Sequence, residues 1–429
     1  MYNANELKKA IENGDFSKPF SYLYSKKNGQ MPERYSAAVN EFVSLFGDGD
    51  LRVFSAPGRT EVGGNHTDHQ HGCVVCAAID LDIIAIAKKT DSGVIRVKSK
   101  GYTMDEIDLN ILEPQRDEAE HACALIRGVA ARFKQLGYEI GGFDAYTTSD
   151  VLKGSGLSSS AAFEIMICTL LSCLYNDGKV DPVEAAIISQ YSENEFFKKP
   201  CGLMDQTACS VGGFVGIDFM DTSKPKIEKV DFNFAAAGHS LCIVDTGGSH
   251  SDLTNEYAAV PSEMREVAAS FNKEYLRAVD ENEFYRSIPL LREKLSDRAI
   301  LRAIHFYDDN KRAIKMKDDL KKGDFESFLK TVRESGLSSL SYLQNVFAAS
   351  APQEQGLTLA LAITEHILGS KGSFRVHGGG FAGTIQAYVP DEMLDTYKTE
   401  IERVFGAGSC YVLSVRPVGG VEVTPTLGE

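Results

Sequence analysis

No stretch of the 429-residue chain reaches the ~18 uninterrupted apolar residues that a membrane-spanning helix needs. Positive charge is also scarce: 45 Lys and Arg face 60 Asp and Glu, giving a net charge of −15 and a pI near 5.2. That excludes a nucleic-acid polymer as the natural partner, because phosphate backbones are held by a basic excess. A mononucleotide is still allowed, since backbone amides can hold its phosphates. The nine cysteines, odd in number and scattered from Cys73 to Cys410, make no compact disulfide framework. Most sit in apolar company, as in Ile167-Cys168 and Leu241-Cys242, and read as small buried hydrophobes. Met1 to Lys27 is polar and mixed in charge, unlike a secretory signal. The expectation is a cytosolic protein in a reducing compartment, away from membranes. Two nucleotide-binding patterns are missing as well. No Gly-x4-Gly-Lys-Ser/Thr loop occurs, and Ser159 stands where the third glycine of a dinucleotide fingerprint belongs.

What is present suffices for a sizeable core: 43% of residues are apolar and 24% charged. The length exceeds the roughly 150-residue prior for one domain, so two domains or one composite fold are expected. Helical spacing predicts helices over Pro32 to Phe46, Glu118 to Leu136 and Ala161 to Tyr175, the last capped by a serine. Asp181-Pro182-Val183-Glu184 is a start signal for a helix running to about Phe197. A largely helical span is predicted from Glu263 to Asn345, broken near Asp280, Asp308 and Gly323, and another helix from Gln353 to Leu368. Strands are predicted at Leu51 to Ser55, Cys73 to Ala87 (one or two), Val94 to Ser99, Phe143 to Thr147, Phe214 to Phe219, Ser240 to Asp245, Gly383 to Val389 and Ser409 to Val415. Strands and helices mix without regular βαβ alternation, which argues α+β. The expected division is a first lobe over 1–225 and a second over 226–429.

Four segments carry chemistry. Lys153 to Ser160 has two glycines that permit close backbone approach, then three hydroxyls at a predicted helix start, where amides and dipole favour phosphate. Its bland alternative is a serine-capped helix after a turn. Ala56 to Gly72 crowds polar side chains between predicted buried strands, and such groups need partners; a polyol would supply them, against a solvated loop. A metal is the rival there, since His66, Asp68, His69 and His71 fall within six residues, but the spacing matches no His-Glu-x2-His or zinc-finger pair. Cys201 to Gln206 and Arg375 to Gly383 are weak alone: a helix-terminus aspartate and a glycine turn before a strand.

In this order and at these separations, the four segments resemble those of the GHMP kinases, most closely the galactokinase branch. Gly58-Arg59, Gly64, His66, Thr67 and Asp68 match that family's Gly-Arg-Val-Asn-Leu-Ile-Gly-Glu-His-Thr-Asp-Tyr segment. Gly154, Ser155, Gly156, Leu157, Ser158, Ser159 and Ser160 look like its phosphate loop, and Cys201 to Gln206 like its Cys-Gly-Ile-Met-Asp-Gln segment. Arg375 to Gly383 resembles its glycine-rich third motif, so the resemblance runs from about Ser55 to Val389. It implies a two-lobed α+β fold, with an N-lobe like domain 2 of ribosomal protein S5 and a ferredoxin-like C-lobe. It also implies a monomer that phosphorylates the anomeric hydroxyl of galactose with ATP and Mg²⁺. By position, Asp205 matches the catalytic aspartate and Arg59 the arginine beside it. Ser160 and Glu193 match the magnesium ligands, and Asn65, His66, Asp68, Gly202 and Tyr257 the sugar contacts.

The chain departs from that pattern at Glu61 for Asn, Asn65 for a Glu that contacts the sugar's C6 hydroxyl, His69 for Tyr and His377 for Thr. The exchange at Asn65 removes a charge that would repel a C6 carboxylate, so a uronic acid kinase is the alternative enzyme. An ATP- and sugar-binding sensor is the alternative outside catalysis, opposed by the intact Arg59, Ser160, Glu193 and Asp205 set. The Ser99 to Asp108 region matches no adenine-pocket pattern.

Overall fold

The computed structural model describes residues 2–151, 157–248 and 253–428. Three helices open the chain: α1 (Ala4–Glu12), α2 (Ser17–Tyr24) and α3 (Met31–Phe46). Sequence patterning foretold only the third. Next come β1 (Arg52–Gly63), β2 (Cys73–Lys89), β3 (Val94–Ser99), β4 (Met104–Asp108), α4 (Ala122–Gln135) and β5 (Phe143–Ser149). After them lie α5 (Ser159–Tyr175), α6 (Pro182–Ser192) with a π turn over Glu193–Phe197, α7 (Met204–Val211), β6 (Phe214–Asp218) and β7 (Lys226–Val230). These eight-stranded elements, completed by the last strand of the chain, order as β12-β1-β2-β5-β3-β4, with β6 on β2 and β7 on β6. Among the described residues only the β3–β5 pair is parallel.

The second sheet is antiparallel, in the order β11-β8-β10-β9, from β8 (His239–Asp245), β9 (Ser373–Val376), β10 (Thr384–Pro390) and β11 (Cys410–Leu413). Around it lie α8 (Thr254–Ala269), α9 (Glu281–Leu291), α10 (Asp297–Lys322), α11 (Phe325–Ser338), α12 (Gly356–Leu368) and α13 (Leu394–Phe405). β12 (Val421–Glu422) returns to the first sheet. The predicted break at Asp308 does not occur. α10 runs unbroken for 26 residues from its Ser296 cap to Gly323, and Asp308 pairs with Arg312 one turn on. The strand just after the expected 225/226 division, β7, still pairs in the first sheet, so the chain changes sheets between Val230 and His239.

β2 is one strand, not two, and is buried on both faces, which explains its continuous apolar run. Period-two alternation sends Ile84 and Ile86 to one face and Ile83, Ala85 and Ala87 to the other. The first pair meets Phe20, Leu23, Tyr35, Val39 and Phe42 of the N-terminal helices. The second set meets Ile126, Val129 and Phe133 of α4 and Ile165 of α5. That same cluster continues through Phe214 and Phe328 to Leu241, Ile243 and Tyr388 of the second sheet. A single apolar core thus joins the two sheets, and the segments of interest lie along their seam. All nine cysteines are unpaired; Cys73 and Cys76 lie three residues apart on β2, pointing into different clusters.

Candidate active site at the seam of the two sheets

β1 does not end at Ser55, as the hydropathy pattern predicts, but carries the polar segment into the core as far as Gly63. Its pairing with β2 slips between Pro57 and Arg59. A bulge of this kind re-aims the next side chain, and the Arg59 amide leaves the ladder to donate to the Leu157 carbonyl at 3.1 Å. Gly58 makes the approach possible, because a Cβ there would sit 2.8 Å from that same carbonyl. Arg59 then clasps Asp205, in the first turn of α7: Nε donates to Oδ1 and Nη2 to Oδ2, each at 2.6 Å. The Ser158 hydroxyl donates to Asp205 Oδ2 as well. Burial would raise the Asp205 carboxyl, but the Arg59 guanidinium, joined by the Ser158 hydroxyl and Lys199, holds it below the usual carboxylate range. A third of the side chain is still exposed.

Ser158 corrects the expected serine cap. It sits at the N-cap of α5 in left-handed conformation (φ 56°, ψ 64°) and makes no cap hydrogen bond, its hydroxyl being turned to Asp205. The first amides of α5 are left for another acceptor. Leu157 is fully buried, whereas Gly154, Ser155 and Gly156 lie outside the described residues. Ser159 and Ser160 line a cavity of about 850 Å³ between the β3–β4 hairpin, β5 and α4, together with Ser99, Tyr102, Met104 and Phe163. Sequence reasoning missed these last residues. The β3–β4 hairpin has no motif of its own, and only its distance from α5 in the fold marks it.

Beside Asp205, Gln206 is buried and its Nε2 reaches two carboxylates, Glu193 Oε2 at 2.8 Å and Glu164 Oε2 at 3.3 Å. Glu164 had no role in the sequence reading. It is fully buried, its Oε1 has no hydrogen-bond partner among the described residues, and burial pushes its carboxyl well up. Lys199 stands 3.6 Å from Glu193. The orphaned acceptors on Glu164 and Gln206, with the Ser160 hydroxyl and Glu193 carboxylate nearby in the fold, form an oxygen-rich donor set that suits a hard cation. Among the described residues there is no cluster of three His, Cys, Asp or Glu side chains arranged for a metal, in the histidine-rich turn or elsewhere.

That turn forms the other half of the site. His66 has φ 59°, and its Nε2 meets the Gly379 carbonyl at 3.0 Å. Burial, and then the neighbouring His69, lower the His66 imidazole to about 4, so it is neutral at neutral pH. Nε2 therefore carries the proton and Nδ1 is an acceptor. Asp68 faces Gly202, where a Cβ would lie 3.6 Å from Oδ2. Tyr257, on α8, donates its hydroxyl to the Gly380 carbonyl at 2.8 Å and stands edge-on to Phe381. The glycine-rich motif thus folds over the His66–Asp68 turn. Asn65 is brought to the same place but is fully buried, its amide bonded to Glu61, Gly378, Ser339 and Asn345. His377 is a strut: Nε2 pairs with Thr60 and Nδ1 with Thr384, and burial, then Arg59 and Arg375, lower it to about 3. Arg375 is buried 3.4 Å from Glu61, whose carboxyl burial raises to about 7.

Comparison with known proteins agrees with this arrangement. A family model for the galactokinase galactose-binding signature matches residues 40–89, and one for the GHMP kinase N-terminal domain matches residues 124–213. The chain is 29% identical to a galactokinase of Streptomyces coelicolor over 383 residues, which cover 88% of this chain and 95% of that one. It is 28% identical to a galactokinase of Clostridium tetani over 368 residues, covering 84% and 90%. Its fold superposes on the crystal structure of Lactococcus lactis galactokinase complexed with galactose, with a TM-score of 0.74 at 22% identity over 91% of this chain and all of that one. With the sugar-binding signature on β1 and β2, the kinase N-terminal domain around α5 and α7, and this fold, the chain is similar to the GHMP kinases and, among them, to galactokinases.

Proposed function

We propose that this chain transfers the γ-phosphoryl group of ATP to the anomeric C1 hydroxyl of galactose, giving galactose 1-phosphate. The observation that carries the reading is the Arg59–Asp205–Ser158 clasp, which places one partly exposed carboxylate between the start of α5 and the His66–Asp68 turn. Phosphoryl transfer passes through a loose transition state, so positioning and charge neutralisation supply most of the catalysis. Asp205 accepts the C1 hydroxyl proton as the oxygen attacks phosphorus. Its depressed pKa makes it a weak base, which suffices where the proton leaves late, after bonding to phosphorus is advanced. Arg59 orients that carboxylate and neutralises charge on the transferring group.

His66, Asp68, Gly202 and Tyr257 surround the sugar. The amides opening α5 and the 154–160 segment hold the phosphates, and the 850 Å³ cavity takes the base. Ser160 and Glu193 would hold Mg²⁺, the ion that neutralises phosphate charge when bound. Nine unpaired cysteines support a cytosolic setting, and the net charge of −15 supports small molecules as partners; we assign a monomer. Among the described residues no helix is long and apolar enough to cross a membrane.

A coupled ADP-release assay across galactose, galacturonate, glucose and N-acetylgalactosamine tests the substrate, with galactose expected to give the highest kcat/KM. Asp205→Ala is expected to lower kcat by about 10²–10⁴-fold while ATP binding, followed by calorimetry, survives. Near-normal turnover in that variant would sink the assignment.

A further inference from the structure

Residue 65 occupies the place where its relatives' pattern puts a sugar contact, yet no part of Asn65 is accessible to solvent. Its hydrogen-bonding capacity is spent on the protein. The backbone N–H donates to Asp309 Oδ2 at 2.9 Å, and the carbonyl accepts from His305 Nε2 at 2.9 Å. The side-chain Nδ2 donates to Glu61 Oε1 and to the Gly378 carbonyl, both at 2.8 Å. Oδ1 accepts from Asn345 Nδ2 at 2.8 Å and from Ser339 Oγ at 3.2 Å. All three N–H hydrogens and both lone pairs of the amide oxygen are taken, and nothing is left for a hydroxyl.

The partners come from β1, α10, the π turn after α11 (Ser339–Leu343), Asn345 just beyond it and the glycine-rich turn before β10, so one residue ties the first lobe to several parts of the second. His305 and Asp309, one helical turn apart on α10, grip the peptide groups on either side of its Cα. Next to it the chain runs through Gly64 at φ 83° and His66 at φ 59°. A non-glycine residue stays in that region only where its surroundings over-determine it. The Asn65 network supplies that determination.

Resting on the sugar-kinase reading above, we infer that Asn65 is a positioning residue for the His66–Asp68 turn and makes no contact with the sugar, so the C6 substituent is read by other groups. A pocket that hydrogen-bonds a hydroxyl rejects the analogue lacking it, whereas a positioning residue affects both substrates alike. The test measures kcat/KM for D-galactose and 6-deoxy-D-galactose with the wild type, Asn65→Ala and Ser339→Ala. Asn65→Ala is expected to raise KM for both sugars by the same factor, about tenfold or more, leaving their kcat/KM ratio within twofold of wild type. Ser339→Ala removes one donor to Oδ1 and touches no sugar. It is expected to shift both KM values together by a smaller factor.

A ratio that falls toward one in Asn65→Ala, with 6-deoxygalactose kinetics unchanged, overturns the inference. So do unchanged KM values in Ser339→Ala, which decides the matter alone if Asn65→Ala does not fold. A wild type that releases no ADP with either sugar counts against the kinase reading instead. The positioning role is then read without sugar, from the His66 ring resonance assigned by its loss in His66→Gln. A shift of that resonance in Ser339→Ala supports the inference, and a fixed resonance overturns it.

Discussion

Single residues in this site are set by burial acting against a particular partner. Asp205 and Glu164 lie close together, yet one is held charged by a bidentate arginine while the other is pushed toward neutrality with an oxygen unpaired. His377 shows how such a setting reaches stability. Its folded pKa of about 3 lies below the 6.5 of a free imidazole, so below pH 6.5 the unfolded chain binds a proton that the folded chain refuses. Stability from this residue is full above pH 6.5 and falls as pH drops toward 3, by about 2 kcal/mol at pH 5. Glu61 acts with the opposite sign, its raised carboxyl losing stability as pH climbs from 4.5 through 7. A variant comparison separates the two. His377→Asn is expected to melt below wild type at pH 7, and the gap in unfolding free energy should narrow by about 2 kcal/mol at pH 5. A constant gap would mean that His377 is protonated in the folded state.

At the scale of elements, two helix starts that look alike in sequence do different things. Asp181 accepts from the Val183 and Glu184 amides and caps α6, whereas Ser158 precedes α5 and caps nothing. Asp181→Ala is therefore expected to lower stability by about 0.5–2 kcal/mol with kinetics intact. Ser158→Ala should leave the melting temperature within a degree or two and lower kcat, because the hydroxyl it removes serves Asp205. Equal melting losses in the two would restore Ser158 as a cap.

The same contrast shows what the amino-acid order makes legible. Local signals place α3, β3 and α6 with its π turn almost to the residue, since spacing and caps lie within the segment itself. The four chemistry-bearing segments were found because each keeps its residues contiguous. Hydropathy patterning stops β1 at Ser55 because its polar far half is bonded to distant partners such as Arg375 and Gln386, which no window around it contains. α1 and α2 escaped notice because short amphipathic helices depend on the sheet face they cover. The buried state of Asn65 was likewise invisible, its partners lying 4 to 313 residues away.

Across the whole molecule, the ends of the chain meet beneath the site's strand. Asp82 is fully buried on β2 and accepts from Tyr24 at 2.6 Å, Arg34 at 2.6 Å and Arg416 at 3.3 Å. Burial would raise that carboxyl, but Arg34 and then Arg416 hold it down. Removing one partner of such a network leaves charge uncompensated, at a cost of about 3–5 kcal/mol. Arg416→Met is expected to lower the unfolding free energy by that amount, read from a denaturant midpoint. An unchanged midpoint would show that Tyr24 and Arg34 suffice.

β12 pairs with β1 through Phe54–Glu422 and Ser55–Val421, next to the strand segment that carries Arg59. During synthesis, β1 emerges from the ribosome some 370 residues before its edge partner, which Arg52 grips through Glu422. The first sheet therefore cannot close until β12, which follows every strand of the second sheet, has emerged. The strand bearing Arg59 keeps an open edge until the strands of the second sheet have been made, so the first sheet is not completed ahead of the second.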